Sequence, residues 1–311
     1  MKKKISIIVP FYNKKESLES TIEKIITTKK KLEDKYFFEI ILLDNHSTDI
    51  SKMQAKELSS KHDFISVIRQ SRNFGYQANI LTGYQNCTGD AAIQIDSDGQ
   101  DNPELIIDLI QKWENGYDVV YGIRKNRNES IILKSVRKLF YRILNFISDI
   151  NIPLDAGDFR LVDKKILQVL SLFKEKNIYL RGLISYMGFN QTGIEYYREE
   201  RKKGISKYNL RGYFKLAFIA FFSFSKKPLT IIFITGLILF FFSFLLSTYY
   251  LFIFLNGNIT QPGFVTLILC ILIFFAINFL FLGIISFYIG LILDEVKDRP
   301  RYIIENNNDN G

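Results

Sequence analysis

Ala91-Ala92-Ile93-Gln94-Ile95-Asp96-Ser97-Asp98-Gly99-Gln100-Asp101 joins a short apolar run to a cluster of carboxylates and an amide. The run from Ala91 to Ile95 predicts a buried strand, so the acidic residues fall at its C-terminal end, where open α/β sheets place their ligands. Asp96 and Asp98, one residue apart, with the Gln100 amide two further on, suit a hard divalent cation that also grips a diphosphate. A calcium loop of the EF-hand kind does not fit. Its sixth position falls on Asp101 instead of Gly, and its twelfth on Ile107 instead of Glu. Taken alone, an Asp-x-Asp after a strand also serves as a turn or a helix cap, so its reading rests on the motifs around it.

On either side of this segment, β-type runs alternate with helical ones. Strands are predicted at Ile5–Val9, Phe38–Leu43, Ser66–Ile68, Ala91–Ile95 and Val119–Tyr121, and helices near Glu16–Leu32, Ser51–Lys61, Gln77–Asn86 and Pro103–Asn115. Such alternation builds βαβ units and a mostly parallel sheet flanked by helices, an α/β fold. No Gly-x-Gly-x-x-Gly follows the first strand, which argues against a dinucleotide fold. Met1-Lys2-Lys3-Lys4 before Ile5–Val9 has the outline of a signal peptide, but the apolar stretch is short, Pro10 ends it and no small-residue cleavage site follows. It reads as the first strand.

The C-terminal third is different. From Pro228 through Leu293 there is no Asp, Glu, Lys or Arg, in a chain of 311 residues with a formal net charge of +9. One bilayer crossing takes ~20 apolar residues. Asn256-Gly257-Asn258 and Gln261-Pro262-Gly263 divide the stretch into two spans, Leu229–Leu255 and Phe264–Leu293, a helical hairpin. Lys226 and Lys227 precede it, Lys297, Arg299 and Arg301 follow it, and the loop carries none, so the positive-inside rule places both termini in the cytoplasm. The organisation expected is a cytosolic α/β domain at 1–208, a juxtamembrane amphipathic helix at 209–227, two transmembrane helices at 228–293 and a cytosolic tail at 294–311. Asn306–Gly311 reads as a disordered polar end.

Two segments carry apolar and basic faces at helical spacing: Ile131–Ile147, with Lys134, Arg137, Lys138 and Arg142, and Leu210–Phe222, with Arg211 and Lys215. Both suit the headgroup layer of a membrane. The alternative is an ordinary helix packed on the sheet, and the interface reading is stronger for the second, which leads into the membrane. Cys87 and Cys270 fall in the soluble and membrane parts respectively, so neither a disulfide nor a Cys-based zinc site is implied.

Further motifs stand at predicted strand ends: Val9-Pro10-Phe11-Tyr12-Asn13, Leu43-Asp44-Asn45-His46-Ser47-Thr48-Asp49 and Arg69-Gln70-Ser71-Arg72-Asn73-Phe74-Gly75. All would line one crevice with Asp96 and Asp98. Downstream lie Asp155-Ala156-Gly157-Asp158-Phe159-Arg160-Leu161 and Arg181-Gly182-Leu183. With these in view, Ile5 to Tyr208 resembles family-2 glycosyltransferases of the GT-A (nucleotide-diphospho-sugar transferase) fold. Within that family it is most similar to the polyprenyl-phosphate glycosyltransferases, the dolichol-phosphate-mannose-synthase-like enzymes of bacterial membranes. Ser71–Gly75, Trp113-Glu114-Asn115-Gly116-Tyr117-Asp118-Val119-Val120-Tyr121-Gly122 and Asp155–Leu161 are the longest matching strings, and the hairpin position also matches.

The resemblance implies that Asp96 and Asp98 bind Mg2+ or Mn2+, with Gln100 as an additional ligand. Pro10, Tyr12, Asp44, Asn45 and Arg72, with Asp96, would hold the nucleotide-sugar, and Asp158 or Asp155 would act near the acceptor. Arg160, Arg198, Arg201 and Lys207 would face the acceptor phosphate, and Arg160 equally reads as a structural ion-pair partner. Two departures bear on the base. Asn45 stands where the family usually has a second Asp, and Lys14 where many members have Glu. An Asn carbonyl still accepts a hydrogen bond from a uracil N–H but adds no charge.

The reaction implied moves a sugar from a nucleotide-sugar, typically a uridine donor, to a polyprenyl (undecaprenyl) phosphate at the cytoplasmic face of the inner membrane. A phosphate monoester with a second pKa of ~6 is largely a dianion at pH 7 and carries its own nucleophile. The difficulty is repulsion between donor and acceptor phosphates, which a cation on one side and Arg/Lys on the other relieve. In-line displacement with inversion follows, with Asp158 orienting or giving modest base help.

Bland readings stand beside these. His46 and His62 read as surface histidines, Asp101 as the cap of the helix near Pro103, and Asn278 as a helix–helix hydrogen bond; Arg201-Lys202-Lys203 serves anionic lipid as well as it serves an acceptor. A processive polysaccharide synthase is the runner-up, but its Gln-x-x-Arg-Trp motif is absent and the only Trp is Trp113. An inactive membrane scaffold partnering a flippase is a second alternative, opposed by the intact Asp96, Asp98 and Asp155–Leu161. A nucleic-acid partner is disfavoured because the basic residues cluster beside the membrane spans. Members of the branch form tetramers, and two membrane helices offer a surface for a homotetramer.

Overall fold

The computed structural model describes residues 2–125, 156–176, 178–197, 227–256 and 263–305. Its centre is a seven-stranded sheet of β1 (Lys3–Phe11), β2 (Tyr36–Asp44), β3 (Ile65–Arg69), β4 (Ala91–Gln94), β5 (Val119–Lys125), β6 (Ala156–Asp163) and β7 (Gln191–Tyr197), in the order β3-β2-β1-β4-β6-β5-β7. Four of its pairings are parallel; β6 alone runs against both of its neighbours, β4 and β5. The five predicted strands are present, each extended or trimmed by one to four residues. The sheet is mixed because β6, carrying the Asp158-Phe159-Arg160-Leu161 string, enters it as a strand that the sequence presents only as a motif.

Strand side chains alternate between two covered faces, as a parallel sheet buried on both sides requires. Ile5, Ile7, Val9, Ile40 and Leu42 meet α1 (Leu18–Lys30), α2 (Ser51–Lys61) and α4 (Leu105–Glu114) on one face. Ile8, Ile41 and Leu43 meet α3 (Tyr76–Asn86), α5 (Lys164–Leu172) and α6 (Leu180–Tyr186) on the other. α1 shows the rule from the helix side: Leu18, Thr21, Ile22, Ile25 and Thr28 are its buried residues, one stripe at helical spacing. Between β1 and β4 the chain reverses its direction of travel across the sheet, and the crevice of such a fold opens at the C-terminal ends of those strands.

α7 (Lys227–Leu255) and α8 (Phe264–Val296) enclose the predicted spans Leu229–Leu255 and Phe264–Leu293. Within α8, Ile273–Val296 is long and apolar enough to cross a membrane. Large apolar side chains face outward on both helices, among them Phe233, Leu245, Phe279 and Ile289. Asn278 lines a groove of about 430 Å³ between the helices, with Ile232, Gly236 and Phe281. The basic stretches at 131–147 and 210–222 and the end from 306 onward lie outside the described residues.

Candidate active site

The strand ends bring three loops together. Asn13, at φ 51°, donates its backbone N–H to Ser47 Oγ (2.9 Å), and its Oδ1 accepts from the Thr48 N–H (2.8 Å). The loop after β1 is thereby hooked to the loop after β2. Asn45, 5% exposed, ties in the loop after β3: its Nδ2 donates to Asn73 Oδ1 (3.0 Å) and its Oδ1 accepts from the Phe74 N–H (3.0 Å). Asn45 is a bridge between loops, and the base contact read for it from sequence would have to share that carbonyl.

Asp44 is fully buried and paired with the Arg69 guanidinium, while its Oδ1 accepts from the Ser47 N–H at 2.7 Å. Pro10 accepts a hydrogen bond from Ser97 Oγ (2.8 Å), fastening the end of β1 to the Asp96–Asp98 turn. Tyr12 is half-buried at the mouth of the crevice. Arg72 is exposed and stacks on the Phe74 ring, 4.1 Å from its centroid.

Asp96 leaves the end of β4 half-buried, its Oδ1 accepting from Tyr76 Oη (2.5 Å) and Gln94 Nε2 (3.1 Å). Asp98 follows in a tight turn, its Oδ1 accepting from the Gln100 N–H (3.2 Å), with Gly99 at φ +71°. Among the described residues no three His, Cys, Asp or Glu side chains gather into a ready-made metal cage. Two half-buried carboxylates on one turn instead suit a cation that takes its remaining ligands from water and from a phosphate-bearing substrate, as Mg2+ and Mn2+ do in nucleotide sites. The donor set fits such an ion.

β6 supplies the opposite wall. Its register pairs Gln94 with Arg160, and continuing that ladder brings Asp158 alongside Asp96. Asp158 receives a two-pronged grip from Arg181, Nε at 2.7 Å and Nη2 at 2.6 Å. Burial pushes the Asp158 carboxyl up, but the Arg181 charge and hydrogen bonds, backed by Arg160 and Arg124, outweigh it and hold the pKa at about 2. Tyr76 is hydrogen-bonded to the first wall and feels the charge of the second. Burial raises its phenol well above the usual range, with the charges of Asp96 and Asp158 acting in the same direction, so it stays a neutral donor to Asp96.

Arg160 is 5% exposed, and its Nη2 donates to the Gly157 carbonyl (2.9 Å) within its own strand. Asp101 is not the cap of α4. Its carboxylate is fully buried and accepts from Tyr196 Oη at 2.6 Å, while Asn102 Oδ1 takes the Glu104 N–H (3.1 Å) at the helix start. His46, half-buried at φ 64°, meets the Gln70 carbonyl. Asp155, Arg198, Arg201 and Lys207 lie outside the described residues.

Residue-by-residue reading missed Tyr76, Arg69 and the pairing of Arg181 with Asp158. Tyr76 directly follows the Asn73-Phe74-Gly75 string; the sequence pattern predicts the helix from Gln77, whereas it begins at Tyr76. Nothing local in the sequence points Arg69 back at Asp44; only the parallel pairing of β2 with β3, which sets the two side by side, does so.

Residues 6–171 match the family described as Glycosyl transferase family 2. The chain is 39% identical to the uncharacterized glycosyltransferase YkcC of Bacillus subtilis, covering 96% of this chain and 93% of the relative. It is 33% identical to the SfII prophage-derived bactoprenol glucosyl transferase of Shigella flexneri, covering 97% of each. Among solved structures, a mannosyltransferase of Pyrobaculum calidifontis aligns with a TM-score of 0.49 at 17% identity, over 66% of this chain and 59% of that one. With over half of its length matched and relatives aligned almost end to end, the chain belongs to glycosyl transferase family 2 and is a glycosyltransferase that uses a nucleotide sugar.

Proposed function

We propose that the protein transfers a sugar from a UDP-linked donor to undecaprenyl phosphate at the cytoplasmic face of the membrane, with inversion and with a divalent cation. The observation that carries this reading is the meeting of two chemically different walls at Tyr76: the Asp96–Asp98 turn on one side and the Asp158–Arg181 pair on the other. The near-full-length similarity to a bactoprenol glucosyl transferase supports a polyprenyl acceptor, and the long apolar helices supply a place for it in the bilayer.

In this reading the Asp44–Ser47 loop, Tyr12, Pro10 and Arg72 hold the nucleotide, and Asp96, Asp98 and Gln100 hold the cation. The bound cation would neutralise the donor diphosphate and so ease its departure. Tyr76 and Gln94 fix the Asp96 carboxylate. Asp158 keeps Arg181 oriented, and this pair, with Arg198, Arg201 and Lys207, receives the acceptor phosphate. A carboxylate with a pKa of about 2 is a poor proton acceptor at neutral pH, so the acceptor's own dianion does the attacking and Asp158 positions it. Residues 1–208 form the catalytic domain, 228–293 two spans with both termini cytosolic, and 294–311 the segment beyond; 209–226 lie outside the described residues.

The test is transfer of radiolabelled sugar from a panel of nucleotide-sugars to undecaprenyl phosphate in membranes holding the protein. A single lipid-linked product of inverted anomeric configuration is expected. No lipid product with any donor, from folded protein, would refute the acceptor assignment.

A further inference from the structure

Beyond α8 the chain does not trail away from the catalytic domain. It turns at Asp298 (φ 44°), which pairs with Lys176, and Glu295 Oε1 accepts from the Lys176 N–H at 2.8 Å. Arg301 Nη1 then donates to the Phe173 carbonyl (2.6 Å) and Tyr302 Oη to Gln85 Oε1 (2.9 Å). The segment next lies antiparallel beside the end of β3, the edge strand of the sheet, with Gln70 opposite Ile304. The Ser71 N–H donates to the Ile303 carbonyl (2.9 Å) and the Glu305 N–H to the Arg69 carbonyl (2.8 Å). At that point Glu305 Oε2 accepts from Arg69 Nε at 2.6 Å.

Arg69 is therefore shared. It is 8% exposed, and from the same guanidinium Nη1 reaches Asp44 and the Ser47 carbonyl (3.2 Å) while Nη2 meets His46 Nδ1 (3.4 Å). A guanidinium is a rigid planar fork, so fixing Nε on one edge sets the direction of both Nη groups. Whatever holds Nε thus aims Arg69 at the loop carrying Asp44, His46 and Ser47. That loop contains a left-handed non-glycine residue, His46, and is joined to another, Asn13, conformations that persist only where surrounding contacts enforce them.

We propose that Glu305 is a positioning residue for donor binding: through Arg69 it holds the Asp44–Ser47 loop in its nucleotide-competent shape, so the segment leaving the second apolar helix tunes affinity for the donor nucleotide. The inference rests on the reading of that loop as the nucleotide site. It makes the chain's exit from α8 part of the donor pocket, nine residues from Val296 to Glu305. Glu305 is 40% exposed and Asp44 still pairs with Arg69 in its absence, so the effect is that of a partly screened pair, about three- to fivefold in affinity.

The experiment is titration calorimetry of UDP and of GDP, each with Mg2+, into full-length protein in detergent, for wild type, Glu305→Gln, Glu305→Asp and Glu305→Pro. Wild type binds one of the two. Glu305→Gln raises that Kd about three- to fivefold, with kcat at saturating donor within twofold of wild type. Glu305→Asp, which restores the charge, recovers most of the affinity, and Glu305→Pro, which also removes the N–H to Arg69, loses more than Gln does. An unchanged Kd in Glu305→Gln, with or without a lower melting temperature, overturns the proposal. Failure of wild-type protein to bind either nucleotide overturns the nucleotide reading beneath it instead.

Discussion

Asp158 keeps its negative charge across the neutral pH range, because Arg181 grips both of its oxygens. A general base performs best when its pKa lies near the operating pH, and a value of about 2 is far from that. The acidic limb of the acceptor-dependent kcat/KM profile should therefore fall near the phosphate monoester's second pKa of ~6 and should survive in Asp158→Asn. We expect that variant to lose roughly 10–100-fold in rate through a misaimed Arg181, a loss on the scale of one positioning contact. Disappearance of the acidic limb in Asp158→Asn would identify the carboxylate as the base.

At the scale of elements, the sheet is tied at its β1–β2–β4 end by Glu39. Its carboxylate pairs with Lys4 (2.6 Å) and accepts from Ser6 Oγ (2.5 Å) and the Thr88 N–H (2.7 Å), joining two strands to the turn that leads into β4. Burial opposes its ionisation, but the Lys4, Ser6 and Thr88 hydrogen bonds prevail and bring the pKa from 4.5 to about 2. A depressed folded-state pKa means stabilisation that is full above 4.5 and is lost as pH falls toward 2. Glu39→Gln should cost on the order of 2 kcal/mol at pH 7, and its melting temperature should converge on that of wild type as pH drops through that window. A gap that persists at pH 2 would show that packing, not charge, is responsible.

The elements that were legible in the sequence are those whose own pattern suffices. β1, β2 and β4 are mostly apolar runs broken by single polar residues such as Ser6 and Glu39, and α2 spans the residues its pattern marks, Ser51–Lys61. β6 and β7 were not legible. β6 mixes Asp158 and Arg160 with its apolar residues because one of its ends serves the site, and β7 is half-exposed at the far edge of the sheet. The metal-type turn Asp96–Gln100 was visible because its residues are adjacent. The Asp158–Arg181 and Asp44–Arg69 pairs depend on strand order and register, which single segments do not encode.

For the whole molecule, a nucleotide-sugar domain is followed by a pair of apolar helices, and the chain beyond them returns to the sheet edge. The proposed orientation, with both termini cytosolic, rests on the charge-free loop between the helices and the basic flanks on either side. In a Cys87→Ser, Cys270→Ser background, a membrane-impermeant maleimide should label Asn258→Cys in intact cells and Lys2→Cys only after lysis. Equal labelling of both positions in intact cells, or the reverse pattern, would contradict the topology.

In the function proposed, Asp96 and its neighbours carry a cation-assisted sugar transfer to a lipid phosphate. The most direct measurement is lipid-linked sugar formation by purified full-length protein, titrated with Mg2+ or Mn2+ after chelation, for wild type and Asp96→Ala. Activity should vanish with chelator, return with metal and fall by roughly 10³-fold or more in Asp96→Ala. Product formation that is indifferent to chelator and to the loss of Asp96 would contradict it.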